Sequence, residues 1–128
     1  MLVLRELAKI PMVKPQITFQ DFEKIDIRLG KIIKVEDFPE AHKPAYKLWI
    51  DFGPGIGIKT SSAQIVKHHT KENLLHKQVV CVVNFPEKKI GPFTSQALTL
   101  GPDDGTGESS NWIVLTPLKE AALGSKVT

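Results

Sequence analysis

The stretch "IDIRLGKIIKVEDF", residues 25–38, decides the fold of this chain. Apolar side chains occupy alternate positions before Gly30, as in a half-buried β-strand, and the alternation changes phase after this glycine. The apolar positions are Ile25, Ile27 and Leu29, followed by Ile32, Ile33 and Val35. A long strand that is interrupted by a glycine can bulge or coil there and so bend around a barrel.

The segments on either side of this strand extend the same prediction. Several short apolar runs are bounded by glycine, proline or polar residues, which is typical of a small β-barrel. The predicted strands are "YKLWIDF" (46–52), "GIKTSSA" (57–63), "QVVCVVNF" (78–85), "ALTL" (97–100) and "NWIVLTPL" (111–118), and the one predicted helix is in "AQIVKHHTKENLL" (63–75). A short helix between the third and fourth strands predicts an all-β, five-stranded OB-fold Greek-key barrel.

The two ends of the chain are predicted to be small extensions of this barrel. Residues 1–17 form an N-terminal extension, in which Pro11 and Pro15 stop any long helix. Thr18 is followed three residues later by Asp21, which is a capping signature for a short helix. We therefore expect the folded domain to span residues 18–128.

Composition excludes several classes of protein. The chain has 128 residues, a net charge of +3 and a single cysteine, Cys81, so an internal disulfide is excluded and a reducing compartment is favoured. No segment has the length of a membrane span or of a signal peptide, so we expect a cytoplasmic protein without membrane insertion. Only Arg5 and Arg28 are arginines, and lysine supplies the rest of the positive charge. A nucleic-acid ligand would therefore be recognised by backbone and shape more than by sequence.

Fragments that resemble catalytic motifs do not support an enzyme. In "GPGIGIKT" (53–60), Ile58 separates the glycine and lysine that a phosphate-binding loop keeps adjacent. Cys81 lies among valines and is expected to be a core residue rather than a nucleophile. His68 and His69 are adjacent, and on a helix they would point about 100° apart, so a shared metal is not expected. We predict no catalytic residues, no metal site and no cofactor.

Three longer phrases carry a family resemblance. They are "DFEKIDIRLGKIIKVEDFPEAHKPAYKLWIDFG" (21–53), "IKTSSAQI" (58–65) and "KQVVCVVNFPEKKIGPFTSQALTLG" (77–101). Together they resemble the tRNA-binding-domain family, and "IDFGPGIGIKTSSAQI" with "VVNFP" resembles its CsaA group of export-related chaperones. The resemblance implies an OB-fold homodimer without catalytic activity, which binds its ligand through strands and loops on one face of the barrel.

The family's binding positions fall on this chain with some departures. A proline–basic–basic loop corresponds to Pro86–Lys89, where Glu87 replaces a residue that is often basic. A glycine–serine–methionine pattern corresponds to Gly91, Ser95 and Leu98, so the methionine is absent. The segment after the third strand keeps Lys59, Ser61, Ser62 and Gln64, with lysine where tRNA binders commonly have arginine. Each departure weakens the contacts expected for a tRNA ligand, Glu87 most of all, because a carboxylate beside a phosphate is unfavourable.

This surface can be interpreted in two ways. Lysines interleaved with aromatic side chains can hold single-stranded or looped RNA, whereas the same aromatics can hold an extended peptide. The candidate contact residues are Lys59, Ser61, Ser62, Gln64, Phe85, Lys88, Lys89, Phe93, Ser95 and Gln96, with His42, Lys43 and Tyr46 at the barrel mouth. Ser61, Ser62 and Gln64 have an alternative role as caps of the following helix. The favoured ligand is an unfolded or precursor polypeptide, in cooperation with the secretion machinery, and the alternative is tRNA.

Overall fold

The structure is a computed structural model and describes residues 12–128. Short strands account for most of the regular secondary structure in these residues, among which the two helices have five and four residues. In chain order the elements are α1 (Phe19–Glu23), β1 (Ile27–Asp37), β2 (Tyr46–Asp51), β3 (Ile58–Ala63), α2 (Lys71–Leu74), β4 (Gln78–Val82), β5 (Lys88–Ile90), β6 (Phe93–Ser95) and β7 (Leu98–Thr99).

The long first strand belongs to both halves of the sheet. β1 pairs with β4 through residues 27–31 and with β2 through residues 31–37, antiparallel in both cases. The complete order is β3-β2-β1-β4-β7, and a separate two-stranded sheet contains β5 and β6. A strand that changes partners half-way along its length must bend, and this bend turns the sheet towards closure.

The barrel closes where β3 meets β7. All four pairs in the sheet are antiparallel, so β3 and β7 run in the same direction. The buried hydroxyls of Ser61 and Thr99 lie 2.8 Å apart and form a hydrogen bond across this gap. The carbonyl oxygen of Thr60 accepts the N–H groups of Gln96 and Ala97 at 2.8 and 3.0 Å. The predicted five-stranded OB-like barrel, with a short helix between the third and fourth strands, is confirmed.

The core explains why the sequence has a glycine in β1. A Cβ atom on Gly30 would lie 2.5 Å from Cγ2 of Ile50 and 2.7 Å from Cε1 of Phe52, so only a glycine lets these side chains pack over the strand. The irregularity in the β1–β2 register lies later, between Ile32 and Lys34. The interruption that was predicted after Gly30 is therefore present.

The predicted helix over residues 63–75 is mostly wrong. Only Lys71–Leu74 is helical, because the backbone before it binds other parts of the fold. The N–H of Lys67 donates to the carbonyl of Ser110, and the carbonyl of His69 accepts the hydroxyl of Tyr46 at 2.9 Å. These partners hold residues 66–69 as a turn.

The predicted strand over residues 111–118 is also wrong. Ile113 and Leu115 donate backbone hydrogen bonds to Pro102 and Leu100, so the segment runs alongside the chain that follows β7. A regular antiparallel ladder would need the N–H of residue 102 to donate a second bond to the opposite segment. Pro102 has no N–H, so no continuous ladder forms.

The N-terminal region is described only in part. Residues 1–11 of the predicted extension lie outside the described residues, and residues 12–17 contain no helix or strand. The capping prediction is confirmed, because the Thr18 hydroxyl accepts from the Asp21 N–H and the Asp21 carboxylate accepts from the Thr18 N–H. No helix between residues 12 and 128 is long and apolar enough to cross a membrane.

Candidate binding surface

A β-hairpin formed by β5 and β6 stands on the outside of the barrel. Its strands pair from Lys88–Ser95 to Ile90–Phe93, and Gly91, with a φ of 58°, begins the turn between them. Aromatic contacts fix the hairpin to the outer face of the sheet. The Phe93 ring meets the rings of Phe38 and Trp49 edge-on, with centroids 5.4 and 5.8 Å away. Such pairs stabilise packing beyond the area that they bury.

Two lysines on the outer face complete this aromatic cluster. Lys34 Nζ lies 4.5 Å from the Trp49 ring centroid. Lys47 Nζ lies 5.6 Å from the centroid of Phe38. Glu36 bridges the two ammonium groups, and its bond to Lys34 lowers the pKa of its carboxyl group. These charged side chains therefore help to attach the hairpin to the outer face of the sheet.

Ser95 and Gln96 fasten the base of the hairpin to the free edge of β3. The Ser95 hydroxyl accepts the N–H of Ser62 at 3.0 Å, and the Gln96 side-chain carbonyl accepts the N–H of Thr60 at 3.1 Å. The Gln96 amide nitrogen in turn donates to Glu87 at 3.1 Å. Both predicted contact residues therefore satisfy backbone groups of the barrel, and Glu87 is held by a neutral amide.

A cleft with a volume of about 340 Å³ lies between β5, the end of β3 and the loop 41–45. We call it the basic groove, and it is lined by Ala41, His42, Lys43, Ala45, Ser62, Gln64, Lys88, Lys89 and Ile90. His42, Lys43, Lys88 and Lys89 are exposed, and none of the four forms an ion pair within residues 12–128. Positive charge that is not neutralised by the fold is thus concentrated in one concave site.

A second, smaller cleft of about 150 Å³ lies at the base of the hairpin. We call it the apolar pocket, and it is lined by Phe85, Pro86, Lys88, Ser95, Gln96, Ala97 and Leu98. Phe85 is 52% exposed and Leu98 is 39% exposed. Lys88 borders both clefts, so the basic groove and the apolar pocket adjoin at this residue.

The structure therefore brings some of the predicted contact residues together and places others in the scaffold. His42, Ser62, Gln64, Lys88 and Lys89 line the basic groove. Phe85 lines the apolar pocket, and Ser95 and Gln96 contribute to its wall. Lys59 is half-buried on β3 and lines neither cleft.

Three of the predicted residues are committed to the fold. Ser61 is completely buried against Thr99. Tyr46 is buried, and its hydroxyl donates to His69. Burial raises the pKa of that hydroxyl. Phe93 is the anchor of the hairpin. These three side chains therefore lie outside the basic groove and the apolar pocket.

The alternative role as helix caps is wrong for Ser61, Ser62 and Gln64. The two serines lie inside β3, and Gln64 directly follows it. Thr70 is the N-cap of α2, and its hydroxyl accepts the N–H of Asn73 at 3.1 Å.

Sequence reasoning missed the structural role of Lys47. The alternation in "YKLWID" was the available signal, because the buried positions of β2 place Lys47 and Trp49 on its opposite face. Lys43, which was expected beside His42 in the loop at the barrel mouth, lines the basic groove.

The thiol of Cys81 lies in the core of the barrel. Cys81 is fully buried, and burial raises the pKa of its thiol to about 12, so the thiolate is not formed at neutral pH. This confirms the prediction of a core residue. Among residues 12–128, no group of three or more histidine, cysteine and acidic side chains is placed to hold a metal ion.

Asp104 organises the loop that precedes the last part of the chain. Its carboxylate accepts hydrogen bonds from the hydroxyl and N–H of Thr106, from the Asn111 amide at 2.6 Å and from His68 at 2.7 Å. Hydrogen bonds from Thr106, followed by that from His68, hold the pKa of Asp104 well below its usual range. Lys67 also pairs with this carboxylate at 3.2 Å.

This network predicts a specific loss of stability in acid. A carboxyl group whose pKa is lowered by folding stabilises the fold fully above its unfolded pKa, about 3.9, and the contribution is lost as the pH falls further. We expect Asp104→Asn to lower the melting temperature at pH 7, and this deficit to shrink between about pH 4 and pH 2. Thermal unfolding of both proteins across this range tests the prediction, and a deficit that stays constant with pH would contradict it.

The aromatic attachment predicts that Phe93 and Phe85 have separate roles. We expect Phe93→Ala to lower the free energy of unfolding by about 2 kcal/mol, because a half-buried ring and two aromatic contacts are lost. Phe85→Ala is the matched control, since its exposed ring forms none of the aromatic pairs in the described residues. Denaturant unfolding measures both, and equal losses would show that Phe93 is not an anchor.

Comparison with known proteins agrees with this architecture. Residues 27–126 match the family model described as "Putative tRNA binding domain". The chain belongs to this tRNA-binding-domain family. The match begins at the first residue of β1 and extends beyond the last strand, so the whole barrel is the family's domain.

Two solved structures of the family are similar over the entire length of their own chains. Chaperone CsaA from Bacillus anthracis str. Ames is 40% identical, with a TM-score of 0.81 and coverage of 89% of this chain and 100% of that chain. The CsaA chaperone protein from Picrophilus torridus is 48% identical, with a TM-score of 0.79 and coverage of 88% and 100%.

The same tRNA-binding domain also matches part of much longer proteins. Methionine–tRNA ligase of Pyrococcus horikoshii is 40% identical over 111 residues, which are 87% of this chain and 14% of the ligase. The ligase of Thermococcus onnurineus is 36% identical over 123 residues, which are 96% of this chain and 15% of the ligase. The chain thus spans about one seventh of the length of these relatives.

Proposed function

We propose that this protein is a non-enzymatic, CsaA-like molecular chaperone that binds unfolded or precursor polypeptides as a homodimer. The observation that carries the proposal is the apolar pocket beside the basic groove. An exposed apolar site next to a polar one suits an extended polypeptide, which offers both backbone polar groups and side chains of either kind. Similarity to CsaA chaperones over their full chains supports the same function.

The proposed homodimer would form through a different part of the surface. Residues 112–118 expose several large apolar side chains, of which Leu118 is 99% exposed. The others are Trp112, Ile113 and Leu115. Monomeric soluble proteins rarely leave such a cluster open, and a second copy of the chain would cover it. As a chaperone of exported precursors, the protein would act in the cytoplasm beside the secretion machinery.

Suppression of aggregation tests the chaperone function. A chemically denatured client is diluted into buffer with or without the full chain, and light scattering is followed. We expect a several-fold excess of the protein to reduce the scattering. Leu98→Asp should weaken this effect, because it places a charge in the apolar pocket, whereas Ile33→Asp, an equally exposed apolar residue outside both clefts, should not. Unchanged scattering with the unmodified protein would refute the proposal.

A second candidate function is binding of tRNA through Lys59, Lys88 and Lys89. The family membership and the partial similarity to methionine–tRNA ligases favour it. Contacts between lysines and phosphates release counterions, so affinity for tRNA should fall steeply with salt. Replacing Lys88 and Lys89 with alanine should make that dependence shallower by about two in the log–log slope. Filter binding at several salt concentrations measures the slope, and a flat dependence would exclude this candidate.

A further inference from the structure

No strand within residues 12–128 pairs with the outer edge of β5. Hydrogen-bonded and non-hydrogen-bonded pairs alternate in an antiparallel hairpin, and the backbone groups of a non-hydrogen-bonded residue point away from its partner strand. The carbonyl oxygen of Thr94 accepts the Thr60 hydroxyl at 2.6 Å, so it points towards β3 and away from β5. Thr94 is paired with Lys89. The N–H and C=O of Lys89 therefore point outwards, and they form no other backbone hydrogen bond within residues 12–128.

This edge faces the basic groove. Lys88, Lys89 and Ile90 form one wall of the groove, and residues 41–43 form the other. The edge is also fixed in place, since Phe93 anchors the hairpin from its far side. A preformed edge that borders a groove can accept one more strand, in the way that many peptide-binding domains extend a sheet.

The charges around the basic groove determine which kind of strand can pair with β5. A second copy of this chain would bring its own Lys88 and Lys89 against these two, and like charges facing each other oppose pairing. Lys43 adds a positive charge on the opposite wall of the groove. The acidic residues nearby include Glu40, close to the hairpin turn at Gly91, and Glu87, which is bound by the Gln96 amide. Asp37 lines a neighbouring cleft with His42 and is paired with Lys71 at 2.9 Å. An acidic segment is complementary to this groove.

We propose that β5 captures an extended, acidic polypeptide segment by backbone pairing at Lys89. Carboxylate side chains of the segment lie in the basic groove. An apolar side chain of the same segment enters the apolar pocket, because a chain that follows β5 past Lys88 leaves the groove at that pocket. This inference rests on the proposed polypeptide-binding function and specifies which segment of a client is held, and how.

Alternating N-methylation of a peptide tests the backbone pairing. The probe is a fluorescein-labelled octapeptide with one phenylalanine followed by alternating glutamate and threonine, and anisotropy measures its binding to the full chain. Two further versions carry N-methyl groups either on the glutamates or on the threonines. Only one of these sets faces β5, so we expect one version to lose affinity by about tenfold and the other to keep it. Equal affinity of the two methylated versions would overturn the proposal.

Variants of the protein test the same contact from the other side. Lys89→Pro removes the outward N–H, and we expect it to weaken binding about fivefold more than Lys89→Ala, which removes only the charge. If Lys89→Pro lowers the melting temperature of the protein, the backbone pairing is tested by the methylated peptides alone. A version of the octapeptide with lysine in place of glutamate should bind at least about tenfold more weakly than the acidic one. Equal binding of the two would refute the acidic preference.

The outcomes also separate this inference from the function on which it rests. If the protein suppresses aggregation but binds none of the octapeptides, only the inference fails. If it neither suppresses aggregation nor binds the peptides, and binds tRNA instead, both proposals fail together.

Discussion

Reversing the charge of both Lys88 and Lys89 is expected to weaken binding of the acidic octapeptide by roughly thirtyfold at low salt. Both side chains line the basic groove, and each reversed charge replaces attraction of a carboxylate by repulsion. An exposed ion pair is worth about 0.5 kcal/mol and the repulsion that replaces it costs a similar amount, so two reversals together cost about 2 kcal/mol. The Lys88→Glu/Lys89→Glu variant should in turn bind the lysine-bearing octapeptide more tightly than the unmodified protein does.

The matched control is Lys77→Glu/Lys119→Glu. These lysines are exposed and line neither cleft, while the control changes the net charge from +3 to −1 as the test variant does. We expect it to shift binding of the acidic octapeptide by less than about threefold, because charges beyond a Debye length are screened. Anisotropy at low and at physiological salt separates the two effects. Equal losses in both variants would show that overall charge, and not the groove, governs binding.

Gly101→Ala is expected to destabilise the fold more than Phe93→Ala does. A Cβ atom at this position would lie 2.0 Å from the carbonyl oxygen of Ile113 and 2.8 Å from its carbonyl carbon. Both are backbone atoms, so no side-chain rotation can relieve the overlap. The two chain segments would have to separate and give up the bond from the Ile113 N–H to Pro102. We expect a loss of about 3 kcal/mol and a melting temperature about 10 °C lower.

Gly55→Ala is the control for this substitution. No atom lies within 4 Å of a Cβ atom at Gly55, and neither glycine has the positive φ that disfavours other residues. We therefore expect Gly55→Ala to change the free energy of unfolding by less than about 1 kcal/mol, and with either sign. Denaturant unfolding of the two variants makes the comparison. A small effect of Gly101→Ala would mean that residues 101 and 113 are less closely packed than the structure places them.

The main strands of the barrel could be predicted because the sequence patterns that indicate them are local. The alternation of apolar residues in β1, β2 and β4 follows directly from burial on one side of a strand. Gly30 marked the position where large side chains pack over β1. The predictions for residues 63–75 and 111–118 were wrong for a common reason. Their backbone groups bind distant partners such as Ser110 and Pro102, and no local pattern records a partner that lies far along the chain.

The residues that line the two clefts were predicted in part. Lys88, Lys89 and Phe85 were recognisable because charge and aromatic side chains stand out in a connection between strands. Phe93 was assigned to the ligand because it is aromatic, and Ser61 because of the family resemblance. The fold uses Ser61 inside the barrel and Phe93 beneath the hairpin. Residue type alone could not distinguish a side chain that faces a ligand from one that faces the sheet. The direction of each side chain had to come from the register of β3, β5 and β6.

The shared first strand also has a consequence for how the chain folds. β1 can pair with β2, and β2 with β3, as soon as residue 63 is available, because these partners are neighbours in the sequence. The pairing of Ile27 with Val82 must wait for a much longer loop to close, and contacts of that kind slow folding. On the ribosome, the three-stranded meander would therefore form first, with half of β1 still lacking its partner. A protein that we propose to shield unfinished chains would pass through such an unfinished state during its own synthesis.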